Sequence, residues 1–399
     1  MRIRFLLLFL SCSIAGIPYA FSLDSKSNAP IIGIKINDYK GDFLKLFDTF
    51  SELGINTVFA SQDLSGNSVF RQQAKAHRMS VFVIQPIFYD PDALKENPDL
   101  YAITRTGERA KEDWVEFICP TRDEYRKKKV DAVRQTVARL QPDGVSLDFI
   151  RFFVFWEMVH PDRTYTSLPN SCFCQNCLTK FSSDMTIALP DEARKTPGQA
   201  AAWIEANHLE RWADWKSRVI TSMVSDLVRA IKEARPGILV NLHAVPWRKN
   251  DFSGAIKKVA GQDFAALSQI TDFISPMCYT LMLRRDAPWI HSVVQDIASV
   301  SSAVLPSIQV RPAYPGDLPM STAEFEEALK AALAPPSRGV VLWSWDHLSQ
   351  EPEKMATLKR MFGSSERSDD RTCALSARCL IARNHMRRIK SLPGWMRRQ

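Results

Sequence analysis

Short apolar runs alternate with longer amphipathic runs eight times along this chain, and this alternation restricts the possible folds more than any other feature. The apolar runs are rich in β-branched residues, as buried parallel strands are, and each precedes a segment with helical periodicity. The eight runs are IIGIKIN (31–37), INTVFA (55–60), SVFVIQPIFY (80–89), GVSLDFIRF (144–152), ILVNLHAVPW (238–247), DFISPMCYT (272–280), LPSIQVRPAY (305–314) and GVVLWSWDHL (339–348). Eight such units between residues 30 and 363 predict an α/β fold, a (β/α)8 TIM barrel.

A doubly wound open sheet is the alternative, but such sheets more often have about five to seven strands. No G-x-G-x-x-G motif follows the first apolar run, as a dinucleotide-binding sheet would require. Two unusually long connections, residues 90–120 and 153–208, follow the third and fourth runs. In a TIM barrel such segments lie at the C-terminal face, where substrates bind. The sequence therefore predicts a built-up pocket on that face.

Both ends of the chain differ in composition from residues 30–363. Residues 1–22 combine two arginines, an apolar stretch and small residues, which predicts a cleaved signal peptide and export to the periplasm or beyond. An uncleaved anchor is the alternative, although about 13 apolar residues are few for a bilayer, and Cys12 allows a lipoprotein anchor. Residues 364–399 are predicted to be an appended basic tail, compatible with disorder. No later segment predicts insertion into a membrane.

The positive charge of the chain is concentrated at its ends. The net charge is +8, and residues 366–399 contain nine Arg and Lys against three Asp and Glu. Arg2 and Arg4 supply the rest, so residues 5–365 are neutral overall. A nucleic-acid-binding domain carries its basic residues on the folded body. The distribution therefore argues against a nucleic-acid partner.

The fourth apolar run contains two charged residues. The alternation of a strand places Ser146 and Asp148 opposite Val145 and Leu147, so Asp148 should point into the barrel near its C-terminal end. A buried carboxylate is costly unless it is paired or used, and Arg151 could keep it ionised. Asp148 is thus predicted to be a catalytic carboxylate or a substrate anchor, with a purely structural ion pair as the alternative.

The segment CPTRDEYRKKKVDAVRQTV (119–137), the DGVSLDFIRF segment (143–152) and ISPMCYT (274–280) together resemble the glycoside-hydrolase-like (β/α)8 barrel family. The resemblance covers most of residues 31–363. It implies a carbohydrate substrate and hydrolysis of glycosidic bonds in an oligo- or polysaccharide, with Asp148 as a catalytic or sugar-binding acid. A barrel that binds polysaccharide without cleaving it is the main alternative, and a metal-dependent hydrolase is a more remote one.

Glycosidic bond cleavage normally uses two carboxyl groups. Asp346 follows the eighth strand, and Glu157 lies in the loop just beyond Asp148. The sequence favours Asp346 over Glu157 as the second catalytic group, while Asp38, after the first strand, is predicted to bind substrate. No carboxylate directly follows the fifth or sixth strand, which keeps the non-catalytic alternative open.

Aromatic side chains cluster at strand ends and in the loops after them, where the apolar face of a sugar could stack. They are Tyr89, Trp114, Trp156, Trp247, Tyr279, Tyr314, Trp343 and Trp345. Trp156 and Trp345 are the preferred stacking residues. Tyr279, Arg151 and His243 are further predicted substrate contacts, with a hydrogen bond inside the barrel as the alternative for His243.

Three cysteines, Cys172, Cys174 and Cys177, lie within six residues in CFCQNC. This spacing suits a structural zinc site, which needs a fourth ligand. Cys119 is the predicted fourth ligand because its segment emerges on the same rim, and His160 is the reserve. The arrangement is similar to the four-cysteine site of zinc-containing β-galactosidase barrels. Disulfides are the alternative for an exported chain, although bonds between such close neighbours are strained.

Overall fold

A computed structural model of the protein describes residues 29–301, 303–314 and 318–363. The predicted signal peptide (1–22) and basic tail (364–399) lie outside the described residues. Eight parallel strands form a closed barrel in which the first strand pairs with both the second and the last. The predicted (β/α)8 TIM barrel is therefore confirmed.

The strands of the barrel are β1 (Ile31–Ile36), β2 (Thr57–Ala60), β3 (Ser80–Pro86), β6 (Gly144–Asp148), β7 (Leu239–Ala244), β8 (Phe273–Cys278), β9 (Ser307–Gln309) and β10 (Gly339–Trp343). A separate antiparallel hairpin is formed by β4 (Lys111–Glu112) and β5 (Val115–Glu116). The α-helices are α1 (Phe43–Glu52), α2 (Gln62–Gly66), α3 (Ser68–Ala76), α4 (Pro91–Glu96), α5 (Asp123–Leu140), α6 (Gln175–Met185), α7 (Asp191–Arg194), α8 (Pro197–Asn207), α9 (Leu209–Ala234), α10 (Ala255–Lys258), α11 (Phe264–Leu267), α12 (Ala287–Ala298), α13 (Thr322–Leu333), α14 (Trp345–Leu348) and α15 (Pro352–Phe362). Across the described ranges, none of these helices has the length and apolar composition that crossing a bilayer demands.

The interior of the barrel changes from apolar to polar towards the C-terminal ends of the strands. Phe59, Phe82, Leu305 and Val341 pack together as a buried cluster inside the barrel. A side chain at Gly144 would overlap the ring of Phe82, so a glycine is needed where β6 begins. Polar side chains lie nearer the C-terminal ends of other strands, such as Lys35 on β1 and Asp148 on β6, and this end of the barrel is where a site can form.

Both long connections predicted from the sequence are present. The first, after β3, contains α4 and the β4–β5 hairpin, and the second, after β6, contains α6, α7 and α8. The fourth strand of the barrel, β6, is shorter than the apolar run that predicted it. Phe149 has a φ of 50° and takes the chain out of the sheet after Asp148. Arg151 therefore lies in the loop and not on the strand.

Candidate active site

A cavity of about 990 Å³ opens at the C-terminal end of the barrel. Strand residues Lys35 and Asp148 line it from β1 and β6, and Tyr279 lines it from just after β8. The two long connections add Trp114 and Glu157 to its wall. Residues far apart in the sequence therefore meet in the pocket that the sequence predicted for this face.

Asp148 is the last residue of β6 and lines the cavity, as the strand alternation predicted. Its Oδ1 accepts a hydrogen bond of 2.7 Å from the backbone N–H of Phe149. Burial favours the neutral acid, but the charges of His243 and Lys35 and the Phe149 N–H outweigh it, so the pKa of Asp148 lies below its usual value. The pKa of His243 is itself lowered to about 3, mainly by burial. Near pH 7 His243 is therefore neutral. Of these two residues, only Lys35 then carries a positive charge that favours the ionised form of Asp148.

Lys35 is a residue of this site that the sequence analysis missed. Its side chain is 5% exposed, and its Nζ donates a hydrogen bond of 3.1 Å to Tyr279 Oη. Burial lowers the pKa of Lys35 to about 8, against the opposing effect of Asp148. The sequence feature that could have identified Lys35 is the one that identified Asp148, because Lys35 is a single charged residue within the apolar run IIGIKIN.

Glu157 lies in a 3₁₀ turn of the connection after β6 and is 6% exposed. Burial raises the pKa of Glu157 to about 7, the charge of Arg151 opposes this rise, and the charge of Asp148 adds to it. Within the part of the chain that the structure describes, Glu157 Oε2 has no hydrogen-bond partner. Two carboxyl groups with opposite pKa shifts thus line one cavity.

Arg151 also lines the cavity, but the ion pair with Asp148 that the sequence left as the alternative is not formed. Its guanidinium donates a hydrogen bond of 3.4 Å to the backbone carbonyl of Val154. It also lies over two aromatic rings, with its central carbon 4.8 Å from the centroid of Phe117 and 5.3 Å from that of Phe149. Its positive charge still lowers the pKa of Asp148 and opposes the raised pKa of Glu157.

Six of the eight aromatic residues singled out in the sequence line the cavity, namely Tyr89, Trp114, Trp156, Tyr279, Tyr314 and Trp343. Trp156 is buried beside Tyr279, with their ring centroids 5.8 Å apart. Tyr279 in turn stacks on Trp343 at 4.6 Å and 16°. Trp345 differs from its prediction, because α14 begins there and directs the indole into the core, 5.0 Å from Phe50.

His243 is buried inside the barrel and is not among the residues that line the cavity. Its Nε2 lies 2.9 Å from Ser146 Oγ, in a polar layer that also includes Asn241. This is the internal hydrogen bond that the sequence analysis left as the alternative. A direct contact of His243 with substrate is therefore not part of the site as the structure presents it.

Asp346 and Asp38 lie on the rim and do not line the cavity. The strand β10 ends at Trp343, and the following helix turns Asp346 towards solvent. Asp38 is exposed and forms an ion pair of 3.8 Å with Lys40. Of the two candidates for the second carboxyl, Glu157 is therefore the one that lines the cavity together with Asp148.

The four predicted cysteine ligands come together as a buried cluster. All Sγ atoms of Cys119, Cys172, Cys174 and Cys177 lie within 4.8 Å of one another, and all four cysteines are free. Cys119 Sγ is 3.7 Å from Cys174 Sγ and 3.4 Å from Cys177 Sγ. Tetrahedral zinc with Zn–S bonds near 2.3 Å requires S···S separations of about 3.8 Å. His160 is not part of this cluster.

Hydrogen-bond donors surround the sulfur atoms. The backbone N–H of Ile103 points to Cys172 Sγ at 3.2 Å, and the N–H of Cys177 to Cys174 Sγ at 3.5 Å. The hydroxyl of Thr121 lies 3.1 Å from Cys119 Sγ and 3.2 Å from Cys177 Sγ. Such donors stabilise thiolates, so the cluster fits a metal ion by both spacing and polarity.

The closed barrel of eight parallel strands is a TIM-barrel fold, and solved structures share this fold. The glycoside hydrolase domain of PgaB (BpsB) from Bordetella bronchiseptica matches with a TM-score of 0.62 and 13% identity, over 84% of this chain and 99% of that domain. The β-galactosidase of the psychrophilic Marinomonas ef1 matches with a TM-score of 0.60 and 11% identity, over 83% of this chain and 59% of that one. The β-galactosidase of Rahnella sp. R3 matches with a TM-score of 0.56 and 13% identity, over 86% of this chain and 58% of that one.

The predicted resemblance to glycoside-hydrolase barrels is thus confirmed at the level of the fold, and the predicted cysteine cluster is present. The matched region is less than two thirds of each of these two β-galactosidases. No protein-family model matches the sequence, and no curated protein matches it.

Proposed function

We propose that this protein is a glycoside hydrolase that cleaves glycosidic bonds in an oligo- or polysaccharide. In this proposal Glu157 is the general acid that protonates the leaving oxygen, and Asp148 is the ionised carboxylate that attacks the sugar or activates water. The structural neighbours support a carbohydrate substrate, since they are glycoside hydrolases by name. Export through a cleaved signal at residues 1–22 would bring the protein to such substrates.

One observation carries the proposal, namely the opposite pKa shifts of two carboxyl groups in one cavity. The pKa of Asp148 is lowered, and that of Glu157 is raised to about 7. A pair whose environments separate their pKa values in this way can hold one proton on the acid while the other group stays charged. Lys35 and Arg151 act as the positive charges that keep Asp148 ionised.

The test is hydrolysis of a panel of 4-nitrophenyl glycosides and oligosaccharides by the wild-type protein and the Asp148→Asn variant. We expect wild-type turnover of at least one substrate and its loss in the variant by a factor of about 10³ or more. Circular dichroism checks that the variant is folded. Full activity of Asp148→Asn would remove Asp148 from the mechanism. Tight binding of a glycan by the wild type without cleavage would favour the polysaccharide-binding alternative.

We propose in addition that Cys119, Cys172, Cys174 and Cys177 hold a structural zinc ion. The four residues join the connection after β3 to the connection after β6, which together wall the cavity. A metal at this point would stabilise the two connections relative to each other, because binding free energy at such a site is folding free energy. It need not contact the substrate.

Metal analysis of protein purified without added zinc should find about one zinc ion per chain. Cys119→Ser should abolish metal retention and lower the melting temperature. Cys278→Ser is the matched control, because Cys278 is also a free buried cysteine but is not in the cluster. Equal metal content in both variants, or two disulfides by thiol counting, would contradict the proposal.

A further inference from the structure

Trp114 is the most unusual aromatic residue of the cavity wall. It lies between β4 and β5, at the tip of the hairpin, and 43% of its surface is exposed. Among the aromatic side chains of the described residues, it alone is classed as exposed. It also lines the cavity that contains Asp148 and Glu157. An indole so exposed in a wall of aromatic rings requires an explanation.

The indole is held in one orientation although it is exposed. Its Nε1 donates a hydrogen bond of 2.9 Å to Tyr314 Oη, across the mouth of the barrel. Three rings contact it at steep angles: Tyr89 at 5.9 Å and 75°, Phe149 at 6.1 Å and 86°, and Phe155 at 6.3 Å and 89°. Because these contacts order the side chain before any ligand arrives, a ligand would lose little entropy by packing on it.

The position of Trp114 relates it directly to the catalytic pair of the proposed mechanism. Phe149, whose ring it contacts, follows Asp148 in the sequence. Tyr89 stacks on the same Phe149 ring at 4.8 Å and 27°. An aromatic surface thus continues from Asp148 along the wall to the hairpin. The exposed indole thus contacts the ring of the residue that directly follows Asp148.

The chemistry of this surface matches a sugar ring. A pyranose presents a flat face of C–H groups to an aromatic ring while its hydroxyls remain at the edges. Purely apolar ligands would not use the hydrogen-bonding side chains that line the same cavity, such as Gln62, Gln85 and Asp92. The combination of a fixed, exposed indole and polar groups nearby is what a carbohydrate subsite requires.

We propose that Trp114 is the stacking platform of a second sugar-binding subsite, so that the substrate is a chain of at least two sugar residues. One residue lies at Asp148 and Glu157, and a neighbouring residue lies on the indole of Trp114. The proposal rests on the proposed glycoside hydrolase function and extends it to the length of the substrate. Trp114 touches the substrate away from the bond that is cleaved, and it acts on affinity rather than on chemistry.

The experiment compares Trp114→Ala, Trp114→Phe and Trp203→Ala on two substrates that share one sugar. These are the 4-nitrophenyl monoglycoside that the wild type cleaves best and the tetrasaccharide of the same sugar. Trp203→Ala is the matched control, because Trp203 on α8 packs against His208 and does not line the cavity. We expect Trp114→Ala to lower kcat/KM for the tetrasaccharide about tenfold, the equivalent of one aromatic stacking contact.

The monoglycoside separates a subsite from a structural role. If Trp114 only supports the wall, its loss lowers turnover of both substrates by the same factor, and the inference is overturned. Unchanged tetrasaccharide kinetics in Trp114→Ala overturn it as well. Monoglycoside turnover close to the wild-type value, recovery of tetrasaccharide turnover in Trp114→Phe and no effect of Trp203→Ala support it. If the wild type cleaves no member of the panel, the proposed function fails first, and the subsite is rejected with it.

Discussion

Replacing Glu157 by Gln should remove a specific dependence of stability on pH. The pKa of Glu157 is raised from 4.5 to about 7, chiefly because the side chain is buried. The folded protein therefore binds this proton more tightly than the unfolded chain does. The stability that results is fully present below about pH 4.5 and is lost as the pH rises through about 7. Glutamine has almost the same shape as glutamate and never ionises, so the variant should not lose this stability as the pH rises.

The magnitude follows from the displacement of the pKa. Each pH unit between the folded and unfolded pKa values corresponds to about 1.4 kcal/mol, so ionisation of buried Glu157 costs about 3 kcal/mol of folding free energy. The side chain is only 6% exposed, so solvent screening reduces this figure little. Between pH 4 and pH 8, Glu157→Gln should therefore gain about 3 kcal/mol relative to the wild type.

Urea denaturation of both proteins at several pH values between 4 and 8 measures this difference directly. The same substitution at Glu233, an exposed residue of α9, is the control for the change of side chain. We expect the difference between Glu157→Gln and the wild type to grow with pH and to level off above pH 7. Parallel stability curves over the whole range would refute the assignment of Glu157 as a carboxyl kept protonated by burial.

Two further predictions concern the roles of single side chains in catalysis. Glu157→Gln should lower turnover by about 10²–10⁴ for poor leaving groups, which need protonation, and much less for 4-nitrophenol. Asp346→Asn should not show this dependence on the leaving group. If Asp346→Asn showed it and Glu157→Gln did not, Asp346 would be the acid instead of Glu157. Lys35→Met removes a positive charge that lowers the pKa of Asp148, so the acidic limb of kcat/KM should move to higher pH. Tyr279→Phe removes the hydrogen bond between Lys35 and Tyr279 but no charge, and it should leave the acidic limb in place. An equal shift of the limb in both variants would exclude the effect of the Lys35 charge.

Local patterns in the sequence were sufficient for the fold and for part of the site. Eight repeats of strand and helix periodicity predicted the barrel. The two-residue period of a strand directed Asp148 into the barrel. The spacing of the CFCQNC segment marked three of the four clustered sulfur atoms, and the long connections marked the face that bears the cavity.

Other features depend on which distant segments meet when the barrel closes. The neighbourhood of Asp148, Lys35 and Tyr279 joins β6, β1 and the end of β8, and no local pattern encodes that proximity. Only the folded chain shows that Glu157 is buried at the cavity while Asp346 is exposed to solvent. Periodicity determines the face of an element on which a side chain lies. Its solvation and its neighbours, and hence its pKa, are properties of the closed tertiary structure.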